Sequence, residues 1–105
     1  RRVVMMYEYK AKLIKVVDGD TADFLVDLGF KTFLEIRTRF VAVDTPERGH
    51  ADYHVAREAL ELLLEGEQDD EGWIKIKTGK TGKYGRWLVD IENVNKVMAE
   101  KWPYE

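Results

Sequence analysis

YEYKAKLIKVVDGDTADFLVDL, Tyr7 to Leu28, is the stretch whose reading decides the fold. Its first half alternates, with Tyr9, Ala11 and Leu13 on one side and Lys10, Lys12 and Ile14 on the other. That period, with its β-branched and aromatic content, predicts a strand from Tyr7 to Val17. Asp18-Gly19-Asp20 reads as a turn, because glycine frees the backbone and the flanking aspartates can bond nearby amides. Thr21 to Leu28 then returns as a second strand.

Working outward, Gly29 marks another hairpin, and Lys31 to Val43 reads as a long third strand that stops before Pro46, which lacks the ladder donor. From Val55 to Leu64 the period becomes helical. Val55, Ala59, Leu62 and Leu63 share one face, with Arg57, Glu58, Glu61 and Glu65 outside. Gly66 is a natural stop. Gly72 to Thr78 alternates as a fourth strand, and Gly79 to Gly85 is a glycine-punctuated loop. Arg86 to Glu92 reads as a fifth strand, and Asn93 is placed to cap a helix running to Lys101. The order βββαββα predicts a mainly β fold, a five-stranded Greek-key barrel of the OB type with helices.

The 105 residues suit a single domain spanning positions 1–105 with one modest core. Met5 or Met6 is a plausible natural start, so residues 1–6 are expected to be a flexible or foreign segment. The apolar runs Val3–Met6 and Leu62–Leu64 are far too short to cross a membrane as helices. No membrane partner is expected, and a monomer is. The absence of cysteine excludes disulfides and thiolate metal sites, but does not choose a compartment. The net charge of −3 is unusual for a phosphate-binding protein. Its distribution is uneven, with acid dense from Glu58 to Glu71. Base gathers at Lys10, Lys12 and Lys15, and again at Lys75, Lys77, Lys80, Lys83 and Arg86. A local basic face on an acidic body is one reading, and plain solvated surface is the other.

Three islands carry chemistry: Asp18-Gly19-Asp20-Thr21, Arg39-Phe40-Val41-Ala42-Val43-Asp44-Thr45-Pro46-Glu47, and Lys83-Tyr84-Gly85-Arg86. Carboxylates suit a hard cation with its water. Arginine presents a planar donor fork that fits a phosphate and stabilises the charge of its transition state. Taken singly, each island is also ordinary turn or hairpin chemistry. Together they form a kit for hydrolysing a phosphodiester.

In that order and on those elements, the islands resemble the staphylococcal nuclease (thermonuclease) family, from about Tyr9 to Met98. The resemblance implies that Asp20 and Asp44 bind calcium, with Thr45 adding its backbone carbonyl. It implies that Glu47 activates the attacking water, that Arg39 and Arg86 hold the phosphate, and that Lys83 and Tyr84 contact a terminal phosphate. It further implies a Ca2+-dependent nuclease acting on DNA and RNA and leaving 3′-phosphates. Single strands are the expected preference, since they bend into a narrow site and stack on Tyr84. The hairpin between Thr21 and Arg39 is longer than in the best-known member of that family, and the stretch from Arg48 to His54 is shorter and poor in lysine.

Other features read more plainly. His50 and His54 have the spacing of a helical metal pair, but lie ahead of the helix with no third ligand, and a solvated loop is expected. Gly79-Lys80-Thr81 lacks the earlier glycine of a phosphate loop, since Ile74 stands there. Trp73, Trp87 and Trp102 are expected to pack. Arg37 shares a strand face with Arg39 and is expected to be a surface arginine rather than a phosphate contact. The competing functional reading is a non-catalytic domain of the same fold that binds nucleic acid or a protein partner.

Overall fold

The computed structural model describes residues 7–81 and 86–104. Strands β1 (Tyr7–Asp18), β2 (Thr21–Asp27) and β3 (Phe33–Phe40) are followed by helix α1 (Tyr53–Gly66). Strands β4 (Trp73–Thr81) and β5 (Trp87–Asp90) and helix α2 (Val94–Lys101) complete the order βββαββα. The strands close into a five-stranded barrel, β1-β2-β3-β5-β4, with β4 returning to β1. Among the described residues only the β3–β5 pair is parallel. This is the expected barrel with helices.

Closure depends on β1, whose 12 residues pair with both β2 and β4. The β1–β2 register shifts at two places, leaving Ile14 and Val17 as extra residues. Such bulges bend a strand and raise its twist, which lets β1 serve two neighbours. They also shift the alternation. Ala11 and Val16 are both buried although five positions apart, while Ile14 is 46% exposed.

Phe24, Phe40, Ile74, Ile76 and Val89 are fully buried or nearly so in the barrel core. Burying each phenylalanine contributes about 2–3 kcal/mol. Thr38 is buried among them, and its hydroxyl donates to the Ala22 carbonyl at 2.9 Å, which offsets its desolvation. Since Thr38 and Phe40 turn inward, Arg37 and Arg39 face outward.

Several boundaries differ from the sequence expectation. Strand β3 begins at Phe33, not Lys31, because Phe30 and Lys31 form the hairpin tip with φ of 53° and 59°. The Gly29 carbonyl accepts from the Thr32 amide at 2.9 Å, giving a tight turn with both central residues left-handed. Phe30 at that tip is entirely exposed. The strand ends at Phe40 because Ala42 is left-handed, with φ of 69°. Val43 instead forms an isolated bridge to Pro103. Strand β4 runs on through Gly79 and Lys80 to Thr81, and β5 is only four residues long.

The helices also depart from expectation. Helix α1 starts at Tyr53 and buries Tyr53, Ala56, Leu60 and Leu64. Ala59 and Leu63 pack at the margin of that stripe, whereas Val55 and Leu62 are 48% and 69% exposed. Three consecutive leucines cannot share one face at 3.6 residues per turn, and Leu62 is the one turned outward. Asn93 precedes α2 with φ of 72° and makes no side-chain cap bond. The working amide is Asn95, 7% exposed. It accepts from the Ile91 amide and donates to the Val41 and Val89 carbonyls, at 2.9–3.1 Å.

Candidate phosphodiester-binding site

Four of the expected site residues come together where the β1–β2 turn meets the end of β3. Residues 18–20 turn between the first two strands, and the Asp20 carbonyl accepts from the Phe40 amide at 2.8 Å. Gly19 is buried in this turn. A Cβ there would lie 2.8 Å from both the Ala56 Cβ and the Thr45 Cγ2. Its φ is not among the positive values, so glycine is present here for space rather than conformational freedom. The turn is tied to α1 a second time. The Tyr53 hydroxyl lies 2.8 Å from the Val17 carbonyl and 2.8 Å from Asp18 Oδ1, sharing its one proton between them.

The segment after β3 is held by the end of the chain. The Asp44 amide donates to the Trp102 carbonyl, and the Tyr104 amide donates to the Ala42 carbonyl, both at 3.0 Å. Pro103 follows α2 by two residues and lies in the bridge to Val43, next to Asp44. Sequence reading missed Tyr53 and Tyr104 as supports. A tyrosine at the first turn of a helix and one after a proline carry no local signal of a tertiary role.

Within this frame Asp20 is a hub. Its Oδ1 accepts from the Thr21 hydroxyl at 3.0 Å, and its Oδ2 accepts from the Thr45 amide at 3.2 Å. Arg39 lies between the two aspartates. Its Nη1 is 3.4 Å from Asp20 Oδ2, and its Nη2 is 3.8 Å from Asp44 Oδ1. Nη1 also donates to the Val43 carbonyl at 2.8 Å, and the guanidinium carbon lies 5.8 Å from the Tyr104 ring. The Asp20 and Arg39 side chains are 13% and 20% exposed, whereas that of Asp44 is 57% exposed. Asp44 therefore forms the open side of the cluster.

The remaining candidates are less closely drawn in. Arg86 immediately precedes β5, whose Trp87 pairs with Thr38, so its backbone runs beside the part of β3 that carries Arg37 and Arg39. Glu47 is exposed in the loop before α1, three positions beyond Asp44. Lys83 and Tyr84 lie outside the described residues. Of the two histidines, expected to lie ahead of the helix, only His50 does, and His54 lies in the first turn of α1. His50 Nδ1 accepts from the Asp52 amide at 3.0 Å, ahead of the helix, and the His54 ring packs edge-on against Tyr53 at 5.2 Å.

No group of three or more histidine, aspartate or glutamate side chains is gathered for a metal among the described residues. The donors that do converge are two carboxylates and the Thr45 segment, all oxygen. This set suits a hard cation that keeps much of its water, and not a soft one. The Thr45 hydroxyl is buried without a hydrogen-bond partner among the described residues. A buried hydroxyl left unpaired costs about 1–3 kcal/mol, so this atom is an unmet polar group next to the candidate donors. The donor set thus suits a hard cation in its chemistry.

Arg37, one alternate position before Arg39, is a surface arginine with a fixed partner. Its Nε and Nη2 bond both oxygens of Asp23, at 2.8 and 3.1 Å. These bonds hold the Asp23 carboxyl below its ordinary value. Elsewhere on the outer surface β1 and β4 bring Lys10 opposite Lys75. Trp73 stacks on Phe33 with Lys12 4.8 Å from its ring centroid. Trp102 packs against the core, and Trp87 is 42% exposed.

No protein-family model matches the chain. Two curated proteins resemble it. Protein ParB of Escherichia coli is 30% identical over 96 residues, covering 91% of this chain and 48% of that protein. Micrococcal nuclease of Shigella flexneri is 25% identical over 113 residues, covering 92% of this chain and 59% of that protein. The chain thus spans about half the length of these relatives. The closed barrel and the likeness to a micrococcal nuclease across nine-tenths of the chain are compatible with a staphylococcal-nuclease-like fold.

Proposed function

We propose that this chain is a staphylococcal-nuclease-like domain that hydrolyses phosphodiester bonds of DNA or RNA with the help of a divalent cation, Ca2+ in the first place. One observation carries the reading. Three separate segments bring Asp20, Asp44 with Thr45, and Arg39 to one spot at the barrel's edge. A barrel needs no such meeting of charges for its stability, since a largely buried ion pair loses to desolvation much of what its attraction gains. The likeness to a protein named micrococcal nuclease supports the same chemistry.

In this reading Asp20, Asp44 and the Thr45 carbonyl hold the cation. When bound, it neutralises negative charge on the phosphate. Arg39 offers its guanidinium fork to a phosphate oxygen, and Arg86 does so from the neighbouring strand. Glu47 accepts the proton of the attacking water. Lys83 and Tyr84 contact a terminal phosphate and a base, which favours single strands. The products carry 3′-phosphates, and the working unit is a monomer.

The second reading is a non-catalytic domain that binds nucleic acid or a protein partner. It is favoured by the exposure of Glu47 and by the pairing of Arg39 with both aspartates. Digestion of single-stranded and duplex substrates with calcium, with magnesium and with chelator separates the two. Cleavage that needs calcium, stops in chelator and falls by roughly 100-fold in Arg39→Ala and in Arg86→Ala supports the nuclease. Binding without cleavage under every metal condition supports the second reading.

A further inference from the structure

The outer faces of β1, β2 and β3 are ruled into rows by their pairing. One row sets Asp18 beside Thr21 and Thr21 beside Arg39, and belongs to the candidate site. The next row sets Lys15 beside Asp23 and Asp23 beside Arg37. No role proposed above uses this second row.

Its geometry is that of a displayed cation on a hidden anchor. The Asp23 side chain is 9% exposed, and that of Arg37 is 50% exposed. Two-point pairing through Nε and Nη2 fixes the plane of the guanidinium. The two bonds to Asp23 use Nε and Nη2 and leave Nη1 out of that pairing. Lys15 and Arg37 flank the Asp23 carboxylate on either side, while Asp18 in the adjoining row also acts on Arg37. As a surface staple the pair would contribute only about 0.2–1 kcal/mol. That role requires neither a near-buried carboxylate nor a second cation in the row.

Position adds direction. Arg37 and Arg39 are alternate residues on one face of β3, so their backbones are about 7 Å apart along the strand. Glu35 holds the next outward position and is exposed. A polyanion passing Arg39 and Arg37 therefore meets a like charge and is repelled. The track is short and has an end.

We propose that Arg37, anchored by Asp23 and flanked by Lys15, is a second phosphate-binding position. It takes the backbone phosphate next to the one held at Arg39 and leads a single-stranded polynucleotide along the outer face of β1–β3. The proposal rests on Arg39 receiving a phosphate, but not on cleavage.

The test is binding of fluorescent single-stranded oligonucleotides in chelator, followed by anisotropy across a salt series. The variants are Lys15→Gln, which is surface-exposed, and the double variant Asp23→Asn/Arg37→Gln, which leaves no buried charge unpaired. Melting curves confirm folding. Each lost phosphate contact should lower the log–log salt slope by about 0.7 and weaken binding several-fold at low salt, whatever the base sequence. The effect should be present with a pentanucleotide and vanish with a dinucleotide that has a single phosphodiester. Unchanged affinity and slope in the folded double variant would overturn the proposal, as would a wild-type chain that binds no single strand. A chain that binds through Arg37 yet never cleaves leaves this position standing and removes the nuclease reading. A chain that cleaves, with binding indifferent to Arg37, does the reverse.

Discussion

Replacing Gly19 by alanine tests whether the turn at the site is set by space. The added Cβ would stand 2.8 Å from the Ala56 Cβ, 2.8 Å from the Thr45 Cγ2 and 2.9 Å from the Thr45 Cβ. Comfortable carbon contacts lie at about 3.5–4.0 Å, so the turn, α1 or the Thr45 segment must yield by close to an ångström. Neither neighbour has a flexible end. The Ala56 methyl moves only with its helix, and Thr45 is β-branched and 7% exposed. Overpacking of this kind costs about 1–3 kcal/mol. Alanine recovers about 0.4–1 kcal/mol from the unfolded chain, since the φ of Gly19 is not positive. The expected net loss is about 1–2 kcal/mol. At about 4–8 °C per kcal/mol, the Tm should fall by roughly 5–15 °C. Thermal and urea unfolding of Gly19→Ala, Ala56→Gly and the double variant close a cycle. The clash predicts a favourable coupling of at least about 0.5 kcal/mol, even though Ala56→Gly alone costs about 1 kcal/mol in the helix. The displaced turn should also carry Asp20 away from Arg39 and weaken binding of the cation proposed above, which calorimetry measures directly. Wild-type stability in Gly19→Ala, or strict additivity in the cycle, would refute the reasoning.

Four further expectations follow from single contacts. Phe30→Asn with Lys31→Gly should stabilise the chain by about 1–2 kcal/mol in urea unfolding, since both residues are left-handed at the tip and asparagine-glycine suits that turn; a loss of stability would contradict the turn assignment. Tyr53→Phe removes the hydroxyl shared by the Val17 carbonyl and Asp18 and should cost about 1–2 kcal/mol by the same assay. Asn95→Ala strands one backbone amide and two carbonyls in the interior and should cost about 2–4 kcal/mol, or prevent folding. Arg37→Gln should lower stability in a pH-dependent way. The Arg37 hydrogen bonds hold the Asp23 carboxyl below its ordinary value of 3.8, so their contribution is complete above that pH and is lost as pH falls through the lower native value. The gap between wild type and variant should therefore be full at neutral pH and close below about pH 4 in acid-unfolding curves; a gap that widened in acid would contradict the pairing.

The likeness to a micrococcal nuclease and the order βββαββα agree with what the chain's local patterns imply. Tyr9, Ala11 and Leu13 alternate because a strand has period two, and that pattern survives whatever the strand pairs with. The helix between Tyr53 and Gly66 was likewise legible from its period. Its buried stripe was not, because Leu62, Leu63 and Leu64 are chemically identical and only the barrel beneath decides which one faces water. Gly19 was legible as a turn residue for the wrong reason. Its need for space exists only because Ala56 and Thr45, far along the chain, arrive beside it.

The candidate site divides in the same way. Asp20, Arg39, Asp44, Glu47 and Arg86 could be named from residue type and order, since carboxylates and arginines keep their charge chemistry wherever they lie, whereas Thr45 could be named only through the family resemblance. Sequence alone could not place Arg39 between Asp20 and Asp44, or hold Asp44 through Trp102 and Tyr104 at the far end of the chain. Nor could it choose Asp23 as the partner of Arg37, since that pairing depends on the β2–β3 register. Periodicity and turn chemistry act over a few residues, and so they are written in the sequence. Register, bulges and barrel closure join residues tens of positions apart, and only the tertiary structure decides which charges share one guanidinium.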